Sequence, residues 1–416
     1  MSVGGTVKDE LAVPPSGEPA PRKSRGEAHP LVVIALSFVT AIIVGGILIA
    51  VTNQPTRNAV RHFSASPGKV LSAAWHAVSA AYVALFEGAI FDPHTFGHGS
   101  VWHDFNPISE TLYNATPLIL VGLAVGLAFR TGLFNIGAQG QLIVGAMAAG
   151  YVGFTWHLPP FIHLVVAIVA GAIAGAIWGG IAGWLKARTG AHEVITTIMM
   201  NYVALDLLDY ALKTSAFRRP GSNQAISPIV YGTARLGKLL PSPLRVNLGL
   251  LIALAATAGV AWLLTRSRLG FTLRAVGASP TAARTAGMNV GRAYVTAMLI
   301  AGGLAGLAGC SQILGGGTNY ALTNAVDAGL GFDGITVALL GRAKPWPTVW
   351  AGLLFGALRA GSATMQSRTG TSIDLVTIVQ ALVVLFIAAP AFVRAVFRLR
   401  SSSDSGAAAL AKGWNG

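Results

Sequence analysis

The residues best equipped to do chemistry in this chain are carboxamides rather than acid–base pairs. Asn135, Gln139 and Gln141 fall within FNIGAQGQ, Phe134 to Gln141, a polar and glycine-punctuated stretch inside an otherwise apolar run from Thr116 to Phe154. Carboxamides both donate and accept hydrogen bonds, and Phe134 adds a ring face, a set that suits a neutral polar solute. The same amides could instead cap a broken helix and satisfy its loose backbone groups. Asn201 and Asp333 pose the same choice, and Phe332 precedes Asp333 as Phe134 precedes Asn135. Arg130 and Arg359 are expected to snorkel or to pair with a carboxylate. His94, His98 and His103 are read as solvated loop histidines, because no cysteine or well-spaced carboxylate accompanies them to complete a metal set.

Catalytic signatures are missing. The triple glycine at 315–317 is not followed by a Lys and Ser/Thr pair, so it is no phosphate-binding loop. There is no Gly-x-Ser-x-Gly elbow, and His192-Glu193 lacks the second histidine of a zinc-protease helix. No nucleophile and base stand at helical spacing, which argues against an enzyme. Energy from ATP would have to come from another chain.

The elements that must hold these residues are membrane helices. A hydrophobic fraction of 53%, only 11% charged residues and 51 glycines define an all-α polytopic membrane protein, since a soluble domain of this length needs far more surface charge. The net charge of +14 sits in short segments flanking apolar runs, the pattern of a positive-inside topology rather than of nucleic-acid binding. Cys310 stands alone in an apolar run, so neither a disulfide framework nor a cysteine metal site is available.

In chain order, residues 1–29 are expected to form a disordered cytoplasmic tail and 30–51 a retained first span, with Arg22, Lys23 and Arg25 holding the N-terminus inside. Residues 52–107 read as an external segment whose helix, Pro67 to Ile90, lies against the membrane surface. Residues 108–393 form the membrane core, with crossings at 108–129, 140–156, 161–185, 193–212, 246–265, 293–314, 346–365 and 373–393 and a half crossing at 335–340. Arg394, Arg398 and Arg400 place the tail 394–416 in the cytoplasm, which gives about ten spans with both termini inside. Gly171, Gly175, Gly179 and Gly183 make a small-residue face for close helix packing. The basic residues of 213–245 fall outside by alternation, against the charge rule.

Two half-repeats are suggested. Phe134-Asn135-Ile136-Gly137 and Phe332-Asp333-Gly334-Ile335 each open an interrupted span, and VITTIMMNYVAL (194–205) echoes LVTIVQALVVLF (375–386). Broken helices at matching places in two halves point to a transport pathway, because irregular backbone at membrane depth survives only beside protein or a cavity.

The cytoplasmic segment 266–292 carries the second informative stretch. Ser279 suits an N-cap, Pro280 the first helical position and Gly287 the stop, which predicts a short helix over Ser279 to Ala286. Ala283 and its small neighbours, edged by Arg274 and Arg284, would slot into a groove on a cytoplasmic partner.

GLFNIGAQGQ (132–141), HEVITTIMMNY (192–202), LRAVGASPTAARTAGM (273–288) and VALLGR (337–342) together resemble the permease subunits of bacterial ABC importers for nucleosides. These sit within a wider group serving ribose, simple sugars and branched-chain amino acids. The resemblance implies a multi-pass protein of the bacterial cytoplasmic membrane, a second and homologous permease subunit, a cytoplasmic ATP-binding subunit and an external substrate-binding lipoprotein. ATP and magnesium would be held by the ATPase, with no cofactor in this chain. It also implies a coupling helix at Ser279 to Ala286 and a substrate pathway near Phe134, Asn135, Asn201 and Asp333. The long segment 52–107 and the extended N-terminus depart from the family pattern. A ribose or simple-sugar permease is the near alternative. A more distant one is an ion-coupled transporter using Asp206, Asp209 or Asp333 as proton carrier.

Overall fold

The computed structural model describes residues 30–61, 67–95, 97 and 101–388. The expected tails 1–29 and 394–416, with Arg22, Lys23, Arg25, Arg394, Arg398 and Arg400, lie outside the described residues, as do His98 and the end of the last span.

Long apolar runs have only one way to satisfy their backbone in lipid, and the described chain is accordingly helical. The helices are α1 (Pro30–Thr52), α2 (Gln54–Val60), α3 (Pro67–Ala89), α4 (Val101–Asp104), α5 (Asn106–Arg130), α6 (Ala138–Thr155), α7 (Pro160–Thr189) and α8 (Glu193–Lys213). They continue as α9 (Leu248–Arg266), α10 (Arg268–Ala278), α11 (Pro280–Thr285), α12 (Val290–Leu314), α13 (Leu330–Leu340), α14 (Pro345–Thr369) and α15 (Ile373–Ala388).

Six of these, α3, α5, α7, α8, α9 and α12, are long and apolar enough to cross a membrane, and α1 with α2, bent by 72°, would make a seventh. Four expected crossings fall short of that measure. Helix α6 opens with Gln139 and Gln141, and α14 carries Arg359, Gln366 and Arg368; α13 and α15 are shorter apolar helices. Helix α3 adds a candidate that the sequence reading laid on the membrane surface. It packs against α14 and α1, and the Tyr82 hydroxyl donates to the Ile42 carbonyl.

Helices α5 and α12 form the interior, with 78% and 61% of their most apolar windows buried. The two halves of the core interlock around them. Helix α12 packs along α7 and α6 of the first half, while α5 packs along α14 and α13 of the second. The expected small-residue face makes the tightest of these contacts: Gly171, Gly175 and Gly179 lie against Gly302 and Gly306 of α12, backbone to backbone. Both third helices close in the same way. Arg188-Thr189-Gly190 and Arg368-Thr369-Gly370 end α7 and α14 with a glycine in the left-handed region, at φ 70° and 69°.

The basic segment 214–247 is stitched to the bundle rather than left as a charged surface. Val230 N donates to the Tyr320 carbonyl, Tyr231 N to Gly153 and Leu236 N to Leu314. Its arginines are spent as internal ties: Arg219 on the Ser227 carbonyl at 3.1 Å, Arg235 on the Val230 carbonyl and over the Tyr320 ring, and Arg245 on Glu110 at 3.0 Å and over the Tyr113 ring. Charge held in this way by the fold is poor evidence of sidedness, which explains the conflict with the charge rule.

Candidate functional site

The chain leaves α5 at Arg130, turns through Gly132 at φ 75° and runs without helix from Leu133 to Ile136 before α6 begins at Ala138. The amides of this stretch hold one another. Asn135 Nδ2 donates to Gln141 Oε1 at 3.1 Å, Gln141 Nε2 returns a bond to Asn135 Oδ1 at 3.2 Å, and Gly137 N donates to the same Asn135 oxygen at 3.0 Å. Asn201 reaches in from α8, accepting from Gly140 N at 2.8 Å and donating to the Ile136 carbonyl at 3.0 Å. Asn135, Gln141 and Asn201 are all buried. Of the two readings open to them, the bonding they make is that of caps on a broken helix. Phe134 stacks on Phe129, with ring centroids 4.8 Å apart.

Gln139 faces the other way. Its Nε2 donates to Asp327 Oδ2 at 2.9 Å and its backbone lies against Gly331, so the start of α6 meets the start of α13 there. Its Oε1 is buried without a partner among the described residues, as is the indole N–H of Trp178 beside Gly140. Asp333 pairs with Arg359 of α14 at 3.1 Å, and Arg359 also donates to the Ala328 carbonyl. Phe332 is 52% exposed and stands apart from Phe134.

Three sequence expectations change here. Phe332-Asp333-Gly334 is not a break but the first turn of α13; the break falls before it, at Gly329, which is left-handed at φ 72°. Arg130 bonds the Ala343 carbonyl at 2.9 Å instead of a carboxylate, and so ties the end of α5 to the turn between α13 and α14. His94 does have carboxylate neighbours: Glu87 lies 3.8 Å away, with Asp92 in the same cluster. Arg368 pairs with both carboxylates, so their negative charge is already answered by a guanidinium that would repel a metal ion. His103 lies exposed in α4. Arg359 pairs with a carboxylate, as expected. Asp327 was missed, although a carboxylate just ahead of a half-length apolar helix was the available signal.

The segment 266–292 contains two helices where one was expected. Gly270, Leu273 and Val276 are buried along α10, and Arg274 extends from its exposed side. Ser279 then ends α10 and caps α11, accepting from Ala282 N at 3.3 Å; Pro280 takes the first helical position, and Gly287 follows at φ 79°. The capped helix stops at Thr285, slightly short of the predicted Ala286. Ala283 is its buried residue, while Pro280, Thr281, Ala282, Arg284 and Thr285 are exposed as one smooth face. The end of α10 reaches the first site directly, since Gly277 lies against the Arg130 carbonyl and Gly132.

A bundle of long apolar helices, with irregular chain ahead of α6 and α13 and an exposed, capped helix between α9 and α12, fits a transport permease. Comparison with known proteins agrees. The chain is 39% identical over 321 residues to a guanosine ABC transporter permease protein of Bacillus subtilis, covering 77% of this chain and 88% of the relative. A glucose ABC transporter permease protein of Haloferax volcanii is 37% identical, covering 67% of this chain and 75% of the relative. A nucleoside ABC transporter permease protein of Lactococcus lactis subsp. cremoris is 30% identical, with 70% and 85% covered. No solved structure matches the chain. The permease component of the branched-chain amino acid transport system is the family whose model matches, over residues 108–388, and this chain belongs to that family. It is an ABC transporter permease of the cytoplasmic membrane.

Proposed function

We propose that this chain is one of two permease subunits of an importer for nucleosides, driven by a partner ATPase and supplied by an external binding lipoprotein. The observation that carries the mechanism is the contact between α10 and the loop that opens α6. A cytoplasmic subunit seated on Arg274, Ser279, Pro280, Arg284 and Gly287, with Ala283 turned inward to hold α11 on the bundle, would push on Gly277, and through it on Gly132 and FNIGAQGQ. ATP binding and hydrolysis in that subunit would then shift the balance of inward- and outward-open states. In this reading α1, α5 to α9 and α12 to α15 make ten crossings with both termini cytoplasmic.

The interior supports a pathway shared with a second subunit. One cavity, lined by Leu120, Ile168, Ile252, Leu307, Cys310 and Ser311, is apolar and offers water about 10 Å³. A nucleoside needs a few hundred cubic ångströms. In this reading the solute passes along an outer face of the bundle, where Phe332 is exposed and Phe134 and Asp333 are partly covered, with Asn135, Gln139, Gln141 and Asn201 buried behind them.

The nucleoside substrate is supported by the guanosine and nucleoside permeases among the relatives, and the glucose permease favours a simple sugar as the second reading. Uptake of labelled guanosine, adenosine, uridine, ribose and glucose by cells with and without this chain separates them. Loss of nucleoside uptake on deletion, without competition from the sugars, is the expected result. Loss of sugar uptake alone would keep the ABC permease and replace its substrate.

A further inference from the structure

Helix α8 buries only one side, packing on α6 and α7 through Thr197, Asn201, Ala204, Leu208 and Ala211. Its opposite side is exposed and carries Tyr202, Asp206 and Tyr210 at i, i+4, i+8, roughly 6 Å apart in rise, along one stripe. Tyr202 and Tyr210 are 61% and 69% exposed.

The carboxylate is the informative group. Asp206 lies well within a helix long and apolar enough to cross a membrane, and no hydrogen bond or ion pair engages it among the described residues. Nor is a cation within reach on its neighbours. Lys213 is taken by Asp209, which also accepts from Asn324 Nδ2 at 3.1 Å. Lys186 pairs with Glu193 at the other end of α8, at 2.9 Å, and α6 has no basic residue. An ionisable side chain at membrane depth faces protein or a water-filled path, not lipid. With rings one turn above and one turn below it, the stripe offers flat apolar faces around an acceptor of two hydrogen bonds.

We propose that Tyr202, Asp206 and Tyr210 form a substrate-contacting strip on the transport path, selective for neutral ring compounds that bear hydrogen-bond donors. The Asp206 carboxylate accepts from N–H or hydroxyl groups of the passing solute, and the two tyrosines pack against its ring. The strip rests on the permease reading above and places the path along the outer side of α8, with Asn201 and the entrance of α6 buried behind it.

The test uses the complete transporter, purified with its partner subunits and placed in lipid vesicles carrying ATP on the ATPase side. Asp206→Asn, Asp206→Leu and Asp206→Glu are compared with the wild type for guanosine uptake, subunit composition and thermal stability. The strip predicts that Asp206→Asn raises KM about tenfold, the size of one lost charged hydrogen bond, while the maximal rate, assembly and melting temperature hold. Asp206→Glu should recover most of the affinity. Unchanged KM in both Asp206→Asn and Asp206→Leu would overturn the proposal, and so would loss of the second permease from the variant complex, which would make Asp206 a contact between subunits. A wild type that carries glucose or ribose but no nucleoside would defeat the substrate reading alone. The strip is then tested with that sugar, whose hydroxyls should show the same loss of affinity.

Discussion

Gly277, at the end of α10, lies against Gly132, where the chain turns out of α5: a β-carbon on Gly132 would sit 3.3 Å from the Gly277 Cα. Gly277 also meets the Arg130 carbonyl, so two backbones touch with no side chain between them. Such a joint transmits displacement stiffly, because close-packed atoms leave no slack to absorb it. Gly277→Val should lower transport by about tenfold, on the scale of ordinary coupling energies, while the ATPase of the assembled complex keeps turning over. Parallel uptake and ATP hydrolysis measurements in vesicles check this. Equal loss of both would mean that the joint merely holds the fold.

Asn201 closes two buried backbone groups of the α6 entrance, Gly140 N and the Ile136 carbonyl. Asn201→Leu leaves both without a partner, at about 1–3 kcal/mol each. The melting temperature of the purified complex should fall by several degrees.

The Asp333–Arg359 pair joins α13 to α14 with both side chains largely covered. Removing one partner strands a charge, at about 3–5 kcal/mol, whereas removing both strands none. Asp333→Asn and Arg359→Gln should each reduce the amount of folded protein, and the double variant should recover part of the loss. Simple addition of the two effects in a thermal-shift series would show that the pair is uncoupled.

Gly175 of α7 meets the Gly302 carbonyl and Gly306 of α12, whereas Ile177 on the same helix is 57% exposed. Gly175→Leu forces the two helices apart, an overpacking cost of about 1–3 kcal/mol or more. It should abolish membrane accumulation of the chain, while Ile177→Leu leaves it intact. Immunoblots of membrane fractions decide the matter.

Much of this architecture was legible in the sequence because lipid imposes long apolar helices with polar ends. The boundaries read for α5 to α9, α12 and α14 fall within a few residues of those observed, and the glycine face of α7 was evident from its spacing. The cap at Ser279 was legible too, since N-cap chemistry is local. Partners far apart in the chain were not. Nothing near Gln139 announces Asp327, 188 residues away, and nothing near Arg130 announces the Ala343 carbonyl, 213 residues away. Helix α10 was missed for a different reason: it is short, and its apolar side finds its partners in α9, α12 and the turn after α5, none of which is local in sequence to all of it. The break before α13 was misplaced because Gly331 and Gly334 suggest a turn, yet they are there to let α13 approach Gln139 and Val121.

The interlock of the two halves bears on how the protein is made. Helix α7 leaves the ribosome well before its partner α12, and α5 well before α14. Until residues 290–314 are synthesised, Gly171 can meet Gly145 and Ala149 of α6, but Gly175 and Gly179 lack Gly302 and Gly306 of α12. The first half can therefore pack only in part before α12 arrives, and the closest contacts of α7 form last. A chain truncated after α8 should be degraded rather than stored, and two halves expressed separately should accumulate only when made together.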